Sequence, residues 1–131
     1  MMQPGKDSVD IGMIVSDIER SREFYEKLLG LSFQGTMKLP FGTMYRFLFG
    51  TSMVKLIQPG QQQPPAGAIG LEKQLGFRYL TFYVKNLSEL CADLKEKGVQ
   101  FTVPERELAP GRWIAMVKDP DGNIVEFVQA P

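Results

Sequence analysis

Apolar positions in this chain alternate between two periods, and the alternation happens twice. Over residues 8–15, Val9, Ile11, Met13, Ile14 and Val15 are interleaved with polar or small neighbours, which predicts a strand. The period then lengthens. Ile18, Phe24, Tyr25, Leu28 and Leu29 form one apolar stripe, and the helix they predict closes on Gly30. Ser16 stands at its start with Glu19 three residues on, the pattern of a capping box. Leu31–Gly35 begins a strand, and Met44–Phe49 and Ser52–Ile57 predict a hairpin turned through Gly50-Thr51. A proline- and glycine-rich stretch follows, and then the plan repeats. Phe77–Val84 is a predicted strand, and Asn86 with Glu89 at N3 opens a helix striped by Leu87, Leu90, Cys91 and Leu94 and closed by Gly98. Phe101–Val103 predicts a short strand. Trp113–Lys118 and Asn123–Gln129 predict a hairpin turned by Asp119-Pro120-Asp121-Gly122, where proline presets φ and glycine permits a positive φ.

The two halves align residue by residue. Asp10 to Ile18 matches Tyr79 to Leu87 at an offset of 69, and Val54-Lys55-Leu56 matches Val125-Glu126-Phe127 at an offset of 71. The expected organisation is a single domain over residues 1–131, made of two βαβββ repeats at about 8–58 and 77–129, joined by a Pro/Gly-rich linker at 59–76. The alignment pairs Asp10 with Tyr79 and Lys55 with Glu126.

Composition removes several classes of function. Basic and acidic residues balance at 15 each, which gives no reason to expect nucleic acid or an anionic membrane as partner. No apolar run approaches the ~18 residues of a membrane span. Met1 to Lys6 leads into no secretory h-region, and one cysteine, Cys91, excludes an intramolecular disulfide and fits a reducing compartment, so a cytoplasmic location is expected. The chain contains no histidine. That excludes imidazole acid–base catalysis, Ser-His and Cys-His nucleophile pairs, and every His-ligated metal site.

Ile11 to Asp17, Ser21 to Gly30, Tyr79 to Val84, Leu94 to Val99 and Asp119 to Glu126 together resemble the vicinal oxygen chelate superfamily, which includes glyoxalase I, bleomycin-resistance proteins and extradiol dioxygenases. Helix-borne Phe24-Tyr25 with the downstream Leu29-Gly30, and the late Asp-Pro-Asp-Gly ending in Glu126, carry the resemblance over residues 8–129. It implies an α+β fold of two βαβββ modules, with curled mixed sheets around a shared cavity, and a homodimer. In metal-using members each module supplies one ligand near the start of its first strand and one on its last strand, usually two His with one or two Glu. Carried over by position, the set is Asp10, Lys55, Tyr79 and Glu126, of which Glu126 alone matches. Asp10 and Glu126 as hard oxygen donors suit Mg or Mn, but an ammonium beside them makes a poor divalent site. No cofactor is expected, with a carboxylate-held Mg or Mn as the alternative.

Charge balance offers a different reading. Buried carboxylates need a compensating cation, and Lys55 stands at a ligand position where its ammonium would sit between Asp10 and Glu126, with the Tyr79 hydroxyl in the same network. The catalytic version makes the chain a metal-independent isomerase, epimerase or lyase acting on a small oxygenated molecule. Glu126 or Asp10 removes a proton next to a carbonyl, and Lys55 and Tyr79 steady the enolate oxygen. The alternatives are a non-catalytic small-molecule binding or sequestering protein of the bleomycin-resistance type, a divalent-metal enzyme with Asp10 and Glu126 as ligands, and an inert ion network between the halves. Arg46 and Arg112 are candidate carboxylate clamps, and Tyr45, Met53 and Trp113 are candidate lining residues; solvated strand face and ordinary core are the competing assignments. Residues 37–41 with Gly42 read as a lid or a plain loop. Cys91, on the helix stripe, reads as a packed thiol.

Overall fold

The computed structural model describes residues 1–131 and divides into two compact units, Met1–Pro65 and Ala66–Pro131. The boundary falls inside the expected linker. The first unit contains β1 (Ile11–Ile14), α1 (Ile18–Arg22), β2 (Ser32–Leu39), β3 (Gly42–Phe49) and β4 (Ser52–Pro59). Its sheet has the order β1-β4-β3-β2, with β1 parallel to β4 and the other pairs antiparallel. The second unit contains β5 (Tyr79–Tyr83), α2 (Leu87–Glu96), β6 (Phe101–Ala109), β7 (Arg112–Lys118) and β8 (Ile124–Gln129), in the order β5-β8-β7-β6 with the same parallel and antiparallel pattern. The βαβββ repeat is therefore present twice, each sheet is mixed and open, and the class is α+β. No helix is long and apolar enough to cross a membrane.

Each sheet buries one face under its own helix. Val54, Leu56 and Phe47 line that face in the first unit, and Phe82, Ala115, Val117, Val125 and Phe127 in the second, all buried. The helices begin through a device shared by both halves. The Gln58 side-chain oxygen, on β4, accepts from the Ile18 amide at 2.9 Å, and the Gln129 oxygen, on β8, accepts from the Leu87 amide at 2.8 Å. Each bond satisfies one of the amides that a helix start leaves without an intrahelical partner. In α1 Asp17, rather than Ser16, is the N-cap: its extended backbone aims the carboxylate at the Glu19 and Arg20 amides. In α2 Asn86 occupies the N-cap position but its side chain makes no cap bond, because its amide turns to Glu89.

The first helix does not stay α. From Glu23 to Leu28 it widens to a π-helix, with the Leu29 amide reaching the Phe24 carbonyl at 3.0 Å. The wider turn buries the adjacent Phe24 and Tyr25 together, in an edge-on contact at 4.9 Å. Residues 37–41 are strand and turn rather than an irregular loop. Met37–Leu39 ends β2, and Leu39 pairs with Gly42 across a tight hairpin. Glycine is needed at 42 because a Cβ there would meet the Gln58 carbonyl oxygen at 2.2 Å. The strand after α2 runs to Ala109 rather than Val103; β6 lies at a sheet edge with register shifts, where Pro104 is tolerated. The Asp119 turn forms as expected. Its buried carboxylate accepts from the Asp121 and Asn123 amides and from the Asn123 side chain at 2.8–2.9 Å, and Gly122 takes a φ of 87°.

Candidate functional site

Alternation along the strands sorts the candidate residues onto faces. In the first unit the Arg22 guanidinium, from α1, lies over the rings of Phe33, Tyr45 and Phe47, so these positions belong to the helix-bearing face. The opposite face carries Gly12, Lys55, Arg46 and Gly35 in one row across the sheet, since Gly12 pairs with Lys55, Lys55 with Arg46, and Arg46 with Gly35. Met53 lies on the same face two residues before Lys55. In the second unit Thr81, Glu126, Met116 and Val103 form the equivalent row. Tyr79, Tyr83 and Arg112 share that face with them. Tyr45 and Trp113 do not line these faces. Each sits one position out of phase, beside Arg46 and Arg112 respectively, and Trp113 pairs with Gln129 on the helix side.

Asp10 precedes β1 and is engaged locally. Its Oδ1 accepts from Lys6 Nζ at 2.6 Å and from the Met53 amide at 2.8 Å. The Lys6 bond first, then the Met53 amide, hold its carboxyl below the usual carboxylate range; the Lys55 charge adds the smallest contribution. The expected Asp10–Lys55 bridge is replaced by a pair to Lys6 four residues earlier, and Lys55 makes no ion pair. Lys6 offered no periodic or motif signal in the sequence.

Glu126 has the opposite setting. Half-buried on the central strand β8, it accepts one hydrogen bond, from Thr81 Oγ1 to Oε1 at 2.7 Å. The bond follows from register: Thr81 is the β5 residue directly beside Glu126. Sequence reasoning missed Thr81; the available signal was the repeat itself, which sets it against Gly12. Tyr79 is exposed on the same face, two residues before Thr81. At the far end of β5, the Tyr83 hydroxyl accepts from Arg112 Nη2 at 2.8 Å, and the guanidinium also lies 5.6 Å from the Tyr83 ring centroid. The Thr81 hydroxyl orients the Glu126 carboxylate, and geometry is the first requirement of a general base.

Arg46 crosses the bulge at Gly35. Its Nη2 donates to the Gln34 carbonyl at 3.1 Å, while its buried Nε–H has no hydrogen-bond partner. An orphaned donor of this kind costs about 1–3 kcal/mol, more on a charged group. Arg78 is committed elsewhere, donating to the Ala68, Gly70 and Leu71 carbonyls of the segment before β5. Burial, with Glu105 adding to it, pushes the Cys91 thiol up to about 11, so Cys91 is a packing residue.

The donor set does not fit a divalent ion. No group of three or more His, Cys, Asp or Glu side chains is arranged to hold one, and Asp10 already spends an oxygen on an ammonium and an amide.

The model of the Glyoxalase/Bleomycin resistance protein/Dioxygenase superfamily matches residues 8–127. The chain belongs to this superfamily. Among its relatives, the mitochondrial methylmalonyl-CoA epimerase of Bos taurus is 29% identical over 126 residues, covering 92% of this chain and 72% of the relative. A glyoxalase family protein from Enterococcus faecalis superposes with a TM-score of 0.76 at 24% identity, covering 95% of this chain and 98% of that one. TnmS3, an antibiotic binding protein from Streptomyces sp. CB03234, superposes with a TM-score of 0.73 at 23% identity, covering 98% and 100%. The two structures share the glyoxalase-type fold.

Proposed function

We propose that this superfamily member is a metal-independent isomerase of the epimerase type, which removes and returns a proton on carbon next to a carbonyl. The Thr81–Glu126 pair carries the reading: a half-buried carboxylate, oriented by one hydroxyl and engaged in no ion pair. Thr81 holds Oε1, and Oε2 takes the proton. The C–H bond breaks, its electron pair moves to the carbonyl oxygen as an enolate, and the proton passes to Glu126; a proton from solvent then adds to the opposite face of the planar enolate, and Glu126 returns its own proton to solvent. Tyr79, on the same face of β5, is the phenol available to donate to the enolate oxygen. The relative's name supplies the first substrate to try. In methylmalonyl-CoA the acidic carbon lies between a thioester and a carboxylate, so one proton removal erases its configuration.

The test is deuterium wash-in from D2O at that carbon, followed by mass spectrometry, with chelator-washed protein whose metal content is measured alongside. The expected result is exchange that survives metal removal and disappears in Glu126→Gln. Exchange that needs a stoichiometric ion, or that persists in Glu126→Gln, would sink the assignment. A second reading is favoured by the first unit, where Lys55 stands at the position equivalent to Glu126 and Asp10 is engaged by Lys6. A sequestering protein needs no base, and saturable ligand binding with no exchange on any carbonyl acid tested would establish it instead.

A further inference from the structure

We infer that the row Gly12–Lys55–Arg46–Gly35 on the first unit is a binding subsite for a small-molecule carboxylate. The inference concerns the first unit by itself and names the chemical class of its ligand; it goes beyond the reading of Glu126 on the second unit.

Two cations are paired cross-strand here. Arg46 on β3 and Lys55 on β4 stand in direct register, so their side chains leave the same face of the sheet side by side. Unpaired cations in that arrangement repel, and no carboxylate of the unit separates them. Asp10 shares the face but is engaged by Lys6 and the Met53 amide. Lys55 makes no hydrogen bond or ion pair, and Arg46 makes one bond, to the Gln34 carbonyl.

The row is flanked by glycine at both ends. Gly12 adjoins Lys55 on β1, and a Cβ built there meets nothing within 4 Å; Gly35 adjoins Arg46 on β2, and a Cβ there meets only Arg46 Nη2, at 3.6 Å. The cations are thus bordered by bare backbone.

The buried, unpartnered Nε–H of Arg46 identifies the shape of the missing group. Nε and Nη2 form the side-on fork of a guanidinium, and the bond from Nη2 to Gln34 uses one of its two hydrogens. A planar carboxylate accepts from both donors of such a fork, in two parallel bonds, and Lys55 adds a point charge beside it. Because Nε is covered in the resting arrangement, binding requires the Arg46 side chain to lift toward Lys55. A neutral amide can accept a bond from the fork but brings no charge to offset the two adjacent cations, so the subsite selects for charge.

The experiment is a titration of the full chain with malonate, inorganic phosphate and neutral malonamide, followed by calorimetry and by the amide resonances of Gly12 and Gly35. The expected result is saturable malonate binding that shifts both glycines, no binding of malonamide, and at least ~10-fold weaker malonate binding in Arg46→Gln and in Lys55→Met. Arg46→Lys keeps the charge and loses the fork, and should weaken binding as well. Thermal unfolding of each variant confirms that it is folded. Absence of malonate binding to the parent chain, or malonate binding unchanged in both folded variants, would overturn the inference. Phosphate binding more tightly than malonate at the same residues would overturn the assignment to a carboxylate. Glu126→Gln, which lies on the second unit, should bind malonate like the parent; lost turnover there with intact binding concerns the base and leaves the subsite standing.

Discussion

The row Gly12–Lys55–Arg46–Gly35 and the row Thr81–Glu126–Met116–Val103 occupy matching strands and matching register in the two units, yet one is cationic and the other carries a lone carboxylate. The backbones around them are alike, down to a strand glutamine at the start of each helix. Side chains within these two rows differ while the strand pairing around them is kept, although in the second unit Ile114, Ile124 and Val128 on the same face are buried. The duplicated fold therefore places two different chemistries at one repeated address. By the two proposals above, the row of the first unit binds a carboxylate and the row of the second holds a general base, each within its own sheet.

The largest expected effect comes from removing the carboxylate. Glu126→Gln should lower the rate of proton exchange by ~10²–10⁴-fold, the usual worth of a positioned general base, while leaving malonate binding intact. Measuring both in one variant separates the two rows, and a Glu126→Gln chain that loses both would break the comparison. Thr81→Val should cost less, about 10-fold in kcat, corresponding to about 1.4 kcal/mol for one hydrogen bond to a charged acceptor. Thr81→Ser keeps the hydroxyl and should retain most of the rate, which separates the hydrogen bond from packing. An equal loss in Thr81→Ser would argue that Thr81 only packs.

The shared helix start gives a comparison within the frame itself. Gln129→Ala should destabilise by about 1 kcal/mol, the typical worth of a cap, and Gln58→Ala by less. The reason is that Asp17 still caps α1, whereas the Asn86 side chain makes no cap bond to α2. Urea unfolding of the two variants measures the difference, and equal losses would show that Asp17 provides no cover.

The smallest effect concerns Asp10. Its folded carboxyl lies below the ordinary value of 3.8 because of Lys6 and the Met53 amide, so any stability it contributes is present above that pH and is lost as pH falls through the folded value. Lys6→Met should raise the Asp10 midpoint toward the ordinary range in a carbon-detected NMR titration, while Lys55→Met moves it less. A larger shift in Lys55→Met would restore the Asp10–Lys55 bridge as the dominant contact.

Much of the frame was legible because it rests on local rules. The repeat, both hairpins before their ends, the Asp119 turn and the glycine stops follow from periodicity and turn chemistry that neighbouring residues decide. The misreadings were also local in origin. Ser16 and Asp17 are both good caps, and one residue of backbone conformation chose between them. Residues 37–41 carried apolar side chains without a clear period, and pairing with β3 made them strand. Tyr45 and Trp113 were read as lining, yet strand phase puts each on the helix side.

What the sequence determined by itself is the duplicated α+β frame, the resemblance to the superfamily, and the absence of imidazole chemistry. Tertiary structure alone decided the partners. Thr81 and Glu126 are 45 positions apart, Lys6 bonds Asp10 while also donating to the distant Thr51 carbonyl, and the Nε of Arg46 is orphaned where the side chain crosses a bulge. Periodicity reports which face a residue occupies. Hydrogen bonds between strands depend on register and rotamer, which are set when distant segments meet.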